Sequence, residues 1–333
     1  MSNPTSSTPP PLPTSIDAHA ILTLTLAPTD PASPVVVLDL TLIQRLEATL
    51  KDLPRDLKGL ILASASSRVF VAGADLKTIQ APSPQTDPEA DRRLDAYLAY
   101  GQRVFGMLAH LPFPTAAAIN GAALGGGLEL AMHCDGLIAA PSASGKPYPI
   151  GLPEAGLSIC PGWGGTNLLP ARIDPAEAIR RTAAGTPMTY DQAVTLGMFD
   201  AVAPHSATPD PAPLHAAAKA WLLSVRPTFG HPGSRIPRRD GAPSRCISRP
   251  GTKPATLAAL AEVFTSIDAP PGTPAKAVLA AVRIGVDAAD PVAGWQAALD
   301  VERHELVRLR NTPAGRAAIQ AFFDKSSAGA TKK

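Results

Sequence analysis

The run NGAALGGGLE at residues 120–129 constrains this chain more than any other stretch. An apolar segment over 115–119 reads as a strand and the segment 128–134 as a helix, so three consecutive glycines stand at a strand-to-helix turn. Glycine there allows φ values closed to other residues and lets a ligand approach with no Cβ in the way. Unpaired N–H groups and the positive end of the macrodipole at a helix start favour negative charge just outside it. Most such turns serve packing only. Glu129 changes the balance, because a carboxylate in the first turn sets an acid or base beside developing negative charge.

The remaining segments predict mixed α/β layering: strands over 20–26, 35–38 and 59–63, with a helix over 42–50 between the last two. The run RVFVAGADLK at 68–77 follows at a strand end, where Gly73 relaxes the backbone and Ala74 offers an N–H beside a small side chain. A structural turn accounts equally well for Gly73 and Asp75. Residues 82–88 read as an exposed loop, 91–111 as a helix stopped by Pro112 and Pro114, and 137–140 as a short strand before a polar loop over 141–149. Glu154 then precedes the run PGWGGT at 161–166. A lone loop glutamate is usually solvated, and Trp163 suits a core equally well. The glycines lack the third member of a dinucleotide fingerprint and no clear strand precedes them, which rejects a Rossmann site.

Composition narrows the classes. Apolar content of 45% in 333 residues suits a globular protein with a sizeable core. A net charge of +2 says little about partners. Cys134, Cys160 and Cys246 lack metal-ligand spacing and fit packing in a reducing compartment. No apolar run reaches transmembrane length, no Lys or Arg precedes Arg45, and the ending lacks a peroxisomal tripeptide. A cytoplasmic location without membrane attachment is therefore expected.

Taken together, the blocks at 68–77, 120–130 and 153–154 with 161–166 resemble the enoyl-CoA hydratase/isomerase family, also called the crotonase superfamily. The likeness covers roughly residues 20–204 and resumes weakly over 275–325. It implies a spiral of ββα units forming two roughly perpendicular sheets wrapped by helices, with C-terminal helices that complete the core. It also implies trimers, often paired into hexamers, and an acyl-CoA thioester as substrate, so that coenzyme A arrives with the substrate and no separate cofactor is expected. By position Ala74 and Gly126 match the two residues whose amides form the family's oxyanion hole. Ala72, Ala74, Asp75, Leu76 and Lys77, with Gly125, Gly126 and Trp163, would bind the substrate and its CoA. Glu129 and Glu154 match the paired glutamates of the hydratases. Isomerases usually keep one, so retention of both tilts the expectation toward hydration of a 2-trans-enoyl-CoA, with isomerisation, decarboxylation or thioester hydrolysis as alternatives. The loop over 142–152 is longer than usual, and Trp163 stands where many relatives carry a small residue, which would narrow the acyl pocket. The resemblance extends to multifunctional β-oxidation proteins, which implies a separate 3-hydroxyacyl-CoA dehydrogenase as a working partner.

Four parts are expected: a Pro/Ser-rich disordered tail over 1–14, the core over 15–205, a variable region over 206–254 and a helical region over 255–333 that completes trimer contacts. Within the variable region, 226–253 carries seven Lys or Arg against Asp240 alone and reads as a solvated loop or linker. Contact with CoA phosphates or nucleic acid is the sharper alternative, and nucleic acid ranks low because Phe229 is its only aromatic residue. A catalytically silent, RNA- or partner-binding relative follows from that alternative. His133 lies one turn after Glu129 and reads as a packing histidine, and His304-Glu305 lacks the second histidine of a zinc motif, so no metal is expected. Helices are predicted over 256–264, 275–284, 293–309 and 314–323.

Overall fold

A computed structural model describes residues 9–80, 87, 89–231, 236 and 239–330. Its strands in chain order are β1 (Thr14–Ile16), β2 (Ile21–Leu26), β3 (Gly59–Ser64), β4 (Val69–Val71), β5 (Thr115–Ile119), β6 (Ala122–Leu124), β7 (Gly136–Ala139), β8 (Pro149–Gly151), β9 (Met188–Thr189) and β10 (Ala201–Val202). They form two sheets, ordered β1-β2-β3-β5-β7-β10 and β4-β6-β8-β9. Successive strands from β3 to β8 alternate between the sheets, so each turn of the chain lays one strand in each. This is the expected spiral of ββα units. From β2 to β10 the first sheet is parallel, and only β1 runs against its neighbour.

A parallel sheet needs cover on both faces, and strand periodicity divides the apolar residues between them. Leu22, Leu24, Leu60, Leu62, Ala117, Ile119 and Leu137 point into the main core. Their neighbours Ile21, Ile61, Ala116, Ala118 and Ile138 face the opposite way, onto Leu214, Ala218, Trp221 and Leu222 of the helix Ala212–Val225. That helix therefore belongs to the fold's outer layer. Gly136 lets Trp221 sit flat on the sheet, since a Cβ there would lie 2.6 Å from its ring.

Several expectations change. The predicted strand over 35–38 makes only one bridge, Leu38 to Ala74. Its hydrogen bonds go to the 72–75 turn instead, because Ala72 N donates to Val36 O at 2.9 Å and Leu38 N to Gly73 O at 2.9 Å. Of the expected tail, residues 1–8 lie outside the described residues, while Leu12 is buried, donates its N–H to Thr49 Oγ1 at 2.8 Å, and leads into β1. The 82–88 loop lies outside the described residues except for Asp87. The C-terminal helices run longer than their apolar spacing suggested, as Lys253–Ser266, Pro274–Asp287, Pro291–Arg310 and Pro313–Ala330.

The largest departure concerns the basic stretch 226–253. Arg235 and Arg238 lie outside the described residues, but four of the others turn inward. Arg239 forks onto Asp135, Arg245 pairs with Asp200, Arg249 with Asp240, and Lys253 Nζ donates to Ala288 O at 2.6 Å. Ile236, Ala242, Cys246 and Ile247 are buried between them. A count of like charges in sequence missed this, because the countercharges Asp135 and Asp200 lie elsewhere in the chain.

Candidate active site

Glu129 sits in the first turn of the helix Gly126–Met132, every residue of which is buried. The turn before it works only with glycine. Gly125 has φ +51°, and a Cβ there would meet Glu154 Oε1 at 2.5 Å, while one on Gly127 would meet Val71 O at 2.4 Å. The far end of the helix is held by buried Arg172, whose guanidinium donates to Cys134 O at 2.7 Å and Met132 O at 3.4 Å and pairs with Asp200. A cation on the last carbonyls complements the macrodipole and fixes the helix that carries Glu129.

Glu154 opens a single 3-10 turn, Glu154–Leu157, directly after β8. It is not the solvated loop glutamate that an isolated reading predicts. Its carboxyl is buried and its Oε2 has no hydrogen-bond partner among the described residues. Glu129 is better satisfied: its Oε1 accepts from Trp163 N and Gly165 N, each at 2.8 Å.

The two amides expected to face a carbonyl oxygen are not used in ladders. Leu38 N donates to Gly73 O and Asp75 N donates to Leu38 O, which leaves the intervening Ala74 N–H pointing away, as a parallel bridge requires. Gly126 is the first residue of its helix, where an N–H has no intrahelical acceptor. Neither N–H has a protein acceptor among the described residues.

A cavity of about 560 Å³ joins these groups. Ala72, Ala74, Asp75, Leu76, Lys77, Gly125, Gly126, Glu129, Glu154 and Trp163 all line it, so the residues matched by position to catalytic and substrate-binding roles converge there, while none of the described residues of the basic stretch 226–253 does. Asp75 also has a structural task, accepting from Lys77 N at 3.1 Å and Thr78 Oγ1 at 2.9 Å as the cap of the helix Leu76–Ile79. Trp163 is wedged in place. A Cβ would meet its ring at 2.3 Å from Gly126 and at 2.4 Å from Gly101, and its Nε1 donates to Leu98 O at 3.0 Å. His133 packs edge-on to Phe105 and Trp295 and donates from Nδ1 to the Glu129 carbonyl at 2.9 Å, so it touches the backbone of Glu129 and not its carboxyl.

Lining contributions from the C-terminal helices escaped the sequence reading. Leu306, Phe322 and Phe323 reach the cavity from the two C-terminal helices. Glu302 lies behind it, buried, accepting from Gly164 N at 2.6 Å, Thr166 N at 2.8 Å and Thr166 Oγ1 at 2.6 Å. A signal existed: Trp295, Leu299, Glu302, Leu306 and Leu309 follow helical spacing, which puts one glutamate in an apolar stripe.

Burial dominates the electrostatics. It raises Glu129 well above the usual carboxylate range, with the charges of Glu302 and Glu154 adding to it and the two amide bonds opposing. Burial likewise pushes Glu154 up to about 8, and Glu302 up to about 7 despite its three donors. These carboxyls hold protons in the native state at pH values where the unfolded chain has lost them. Their contribution to stability is complete below the unfolded value of about 4.5 and is lost as pH rises through 7 and 8. His133, lowered by burial to about 4 from 6.5, acts oppositely below 6.5, so the fall stands clear above that. Urea denaturation at constant ionic strength is expected to show stability dropping by about 2 kcal/mol between pH ~6.5 and ~8. A flat or rising profile there would contradict the burial of these groups.

Alternation of strands between two sheets thus brings two amides and two buried carboxyls to one cavity. The sequence profile of the enoyl-CoA hydratase/isomerase family matches residues 21–219, and the chain belongs to that family. It is 40% identical over 164 residues to the fatty acid oxidation complex subunit alpha of Vibrio cholerae and 40% over 159 residues to that of Vibrio vulnificus. The matched stretch is 49% of this chain and 22% of the Vibrio cholerae protein, so it spans about a fifth of such relatives' length. Among solved structures, enoyl-CoA hydratase from Bacillus halodurans superposes with TM-score 0.63 at 19% identity over 93% of this chain and 99% of that one. Human mitochondrial delta3-delta2-enoyl-CoA isomerase gives 0.60 at 20% identity over 96% and 98%. At such identities the likeness establishes the crotonase fold and not the reaction.

Proposed function

We propose that this protein is an enoyl-CoA hydratase, adding water across the 2,3 double bond of a 2-trans-enoyl-CoA to give a 3-hydroxyacyl-CoA. The observation that carries the reading is the meeting of two buried carboxyls, Glu129 and Glu154, with two unengaged amides, Ala74 and Gly126, around one cavity. The amides would bind the thioester oxygen and stabilise the negative charge it gains, each donor being worth about 3 kcal/mol. As the water oxygen bonds to C3, the π electrons of the double bond move through C2 toward the thioester oxygen, giving the enolate. One carboxylate takes the proton from water, and the other carboxyl delivers a proton to C2 as the enolate collapses. Burial raises both carboxyls and the Glu154 charge raises Glu129 further, so loss of one proton from the pair as pH rises leaves one carboxylate as base beside one carboxyl as acid. Coenzyme A comes and goes with the substrate, and Lys77 at the cavity rim is suited to its phosphates. Among the described residues no group of His, Cys, Asp or Glu is arranged to hold a metal ion, and no helix is long and apolar enough to cross a membrane. A cytoplasmic trimer or hexamer, working beside a separate 3-hydroxyacyl-CoA dehydrogenase, is part of the same proposal.

Purified protein mixed with a four-carbon 2-enoyl-CoA should remove the absorbance of the conjugated thioester. Offering a 3-enoyl-CoA and a malonyl-type thioester in parallel separates hydration from isomerisation and decarboxylation. Absence of turnover on all three, with salt-sensitive retention of RNA, would replace the reading with a binding role.

A further inference from the structure

Four successive amides of the 162–166 turn point alternately at two carboxylates. Trp163 N and Gly165 N donate to Glu129, while Gly164 N and Thr166 N donate to Glu302, from helices more than 150 residues apart in sequence. The turn can adopt this zigzag only at glycine: Gly164 has φ +103°, and a Cβ there would lie 2.2 Å from the Trp295 ring. We propose that Glu302 is a positioning residue for Glu129, holding the turn from behind so that Glu129 keeps one orientation in the cavity. The inference rests on the hydratase reading for its kinetic part only.

The groups facing Glu302 are Glu129, Glu154, the Cys160 thiol, whose Sγ approaches the Glu302 carbonyl at 3.5 Å, and the Thr166 hydroxyl. The nearest cations on its own helix are engaged elsewhere, Arg303 with Asp95 and Asp300 and Arg308 with Glu305. Glu302 therefore acts on Glu129 in two ways: through the geometry of the shared turn and through an uncompensated like charge. Shortening and neutralising the side chain separate them.

Glu302→Gln and Glu302→Asp should be compared with the full-length wild type by hydration kinetics and by carbon-13 titration of the Glu129 carboxyl, assigned with Glu129→Gln. Loss of grip is expected to lower kcat about 10²-fold in both variants with KM changed less than about threefold, the signature of misplacement and not of lost binding. Glu302→Gln should also move the Glu129 titration downward, whereas Glu302→Asp should leave it raised. Thr166→Val removes one of the three donors and should give a smaller loss of the same sign, which keeps the test available if Glu302→Gln fails to fold. Folded variants with wild-type kcat and an unchanged Glu129 titration overturn the proposal. A wild type without hydratase turnover defeats the functional reading instead, and the carbon-13 titration then decides the role of Glu302 by itself.

Discussion

Glu129→Gln and Glu154→Gln are each expected to lower kcat for 2-enoyl-CoA hydration by about 10³-fold, with KM little changed. Glutamine keeps the volume and an acceptor oxygen, so at position 129 the N–H groups of Trp163 and Gly165 retain a partner and the turn survives. What disappears is the ability to take or give a proton. At position 154 the replaced carboxyl has an unpartnered Oε2, so no internal hydrogen bond of that atom is lost. If both carboxyls act around one water, as proposed, the double variant should lose little more than the worse single variant. Full-rate turnover by the double variant would end the hydratase reading. A Glu154→Gln protein that loses hydration yet still converts a 3-enoyl-CoA would favour isomerisation, which needs one proton shuttle.

The second large effect is on stability. Asp135→Ala is expected to cost about 3–5 kcal/mol of unfolding free energy, because it strands a charged partner inside the fold. Arg239 donates to both carboxylate oxygens of Asp135, at 2.7 Å and 2.8 Å, and to the carbonyls of Leu111 at 3.0 Å and Phe113 at 3.1 Å. Asp135 in turn accepts from Thr115 N at 2.8 Å and Thr115 Oγ1 at 3.1 Å, which ties the start of β7 to the start of β5. Its side chain is 1% exposed and that of Arg239 14%, so solvent screens the pair weakly. Arg239→Met should cost a similar amount by leaving Asp135 unpaired, and the two losses should not add. Urea titrations of both singles and the double measure this. A loss under about 1 kcal/mol would mean that Arg239 is solvated after all.

The sequence by itself determined the chemistry-bearing loops. Gly125, Gly126 and Glu129 could be read because a strand-to-helix turn and the first helical residues are local features, set by φ restrictions and by the unpaired amides of a helix start. Ala74 and Glu154 needed the order and spacing of three motifs, since neither is distinctive alone. Tertiary structure decided whether Glu154 faces solvent or a cavity, and burial between β8 and the glycine turn decided for the cavity. It also decided the fate of 226–253, whose arginines are matched by Asp135 and Asp200 at sequence distances where charge patterning carries no signal. Glu302 is the sharpest case. A single acidic residue in an apolar helical stripe shows that something must satisfy it, but only the folded chain brings Gly164 and Thr166 to it, because contacts across more than 130 residues arise from packing and not from local propensity.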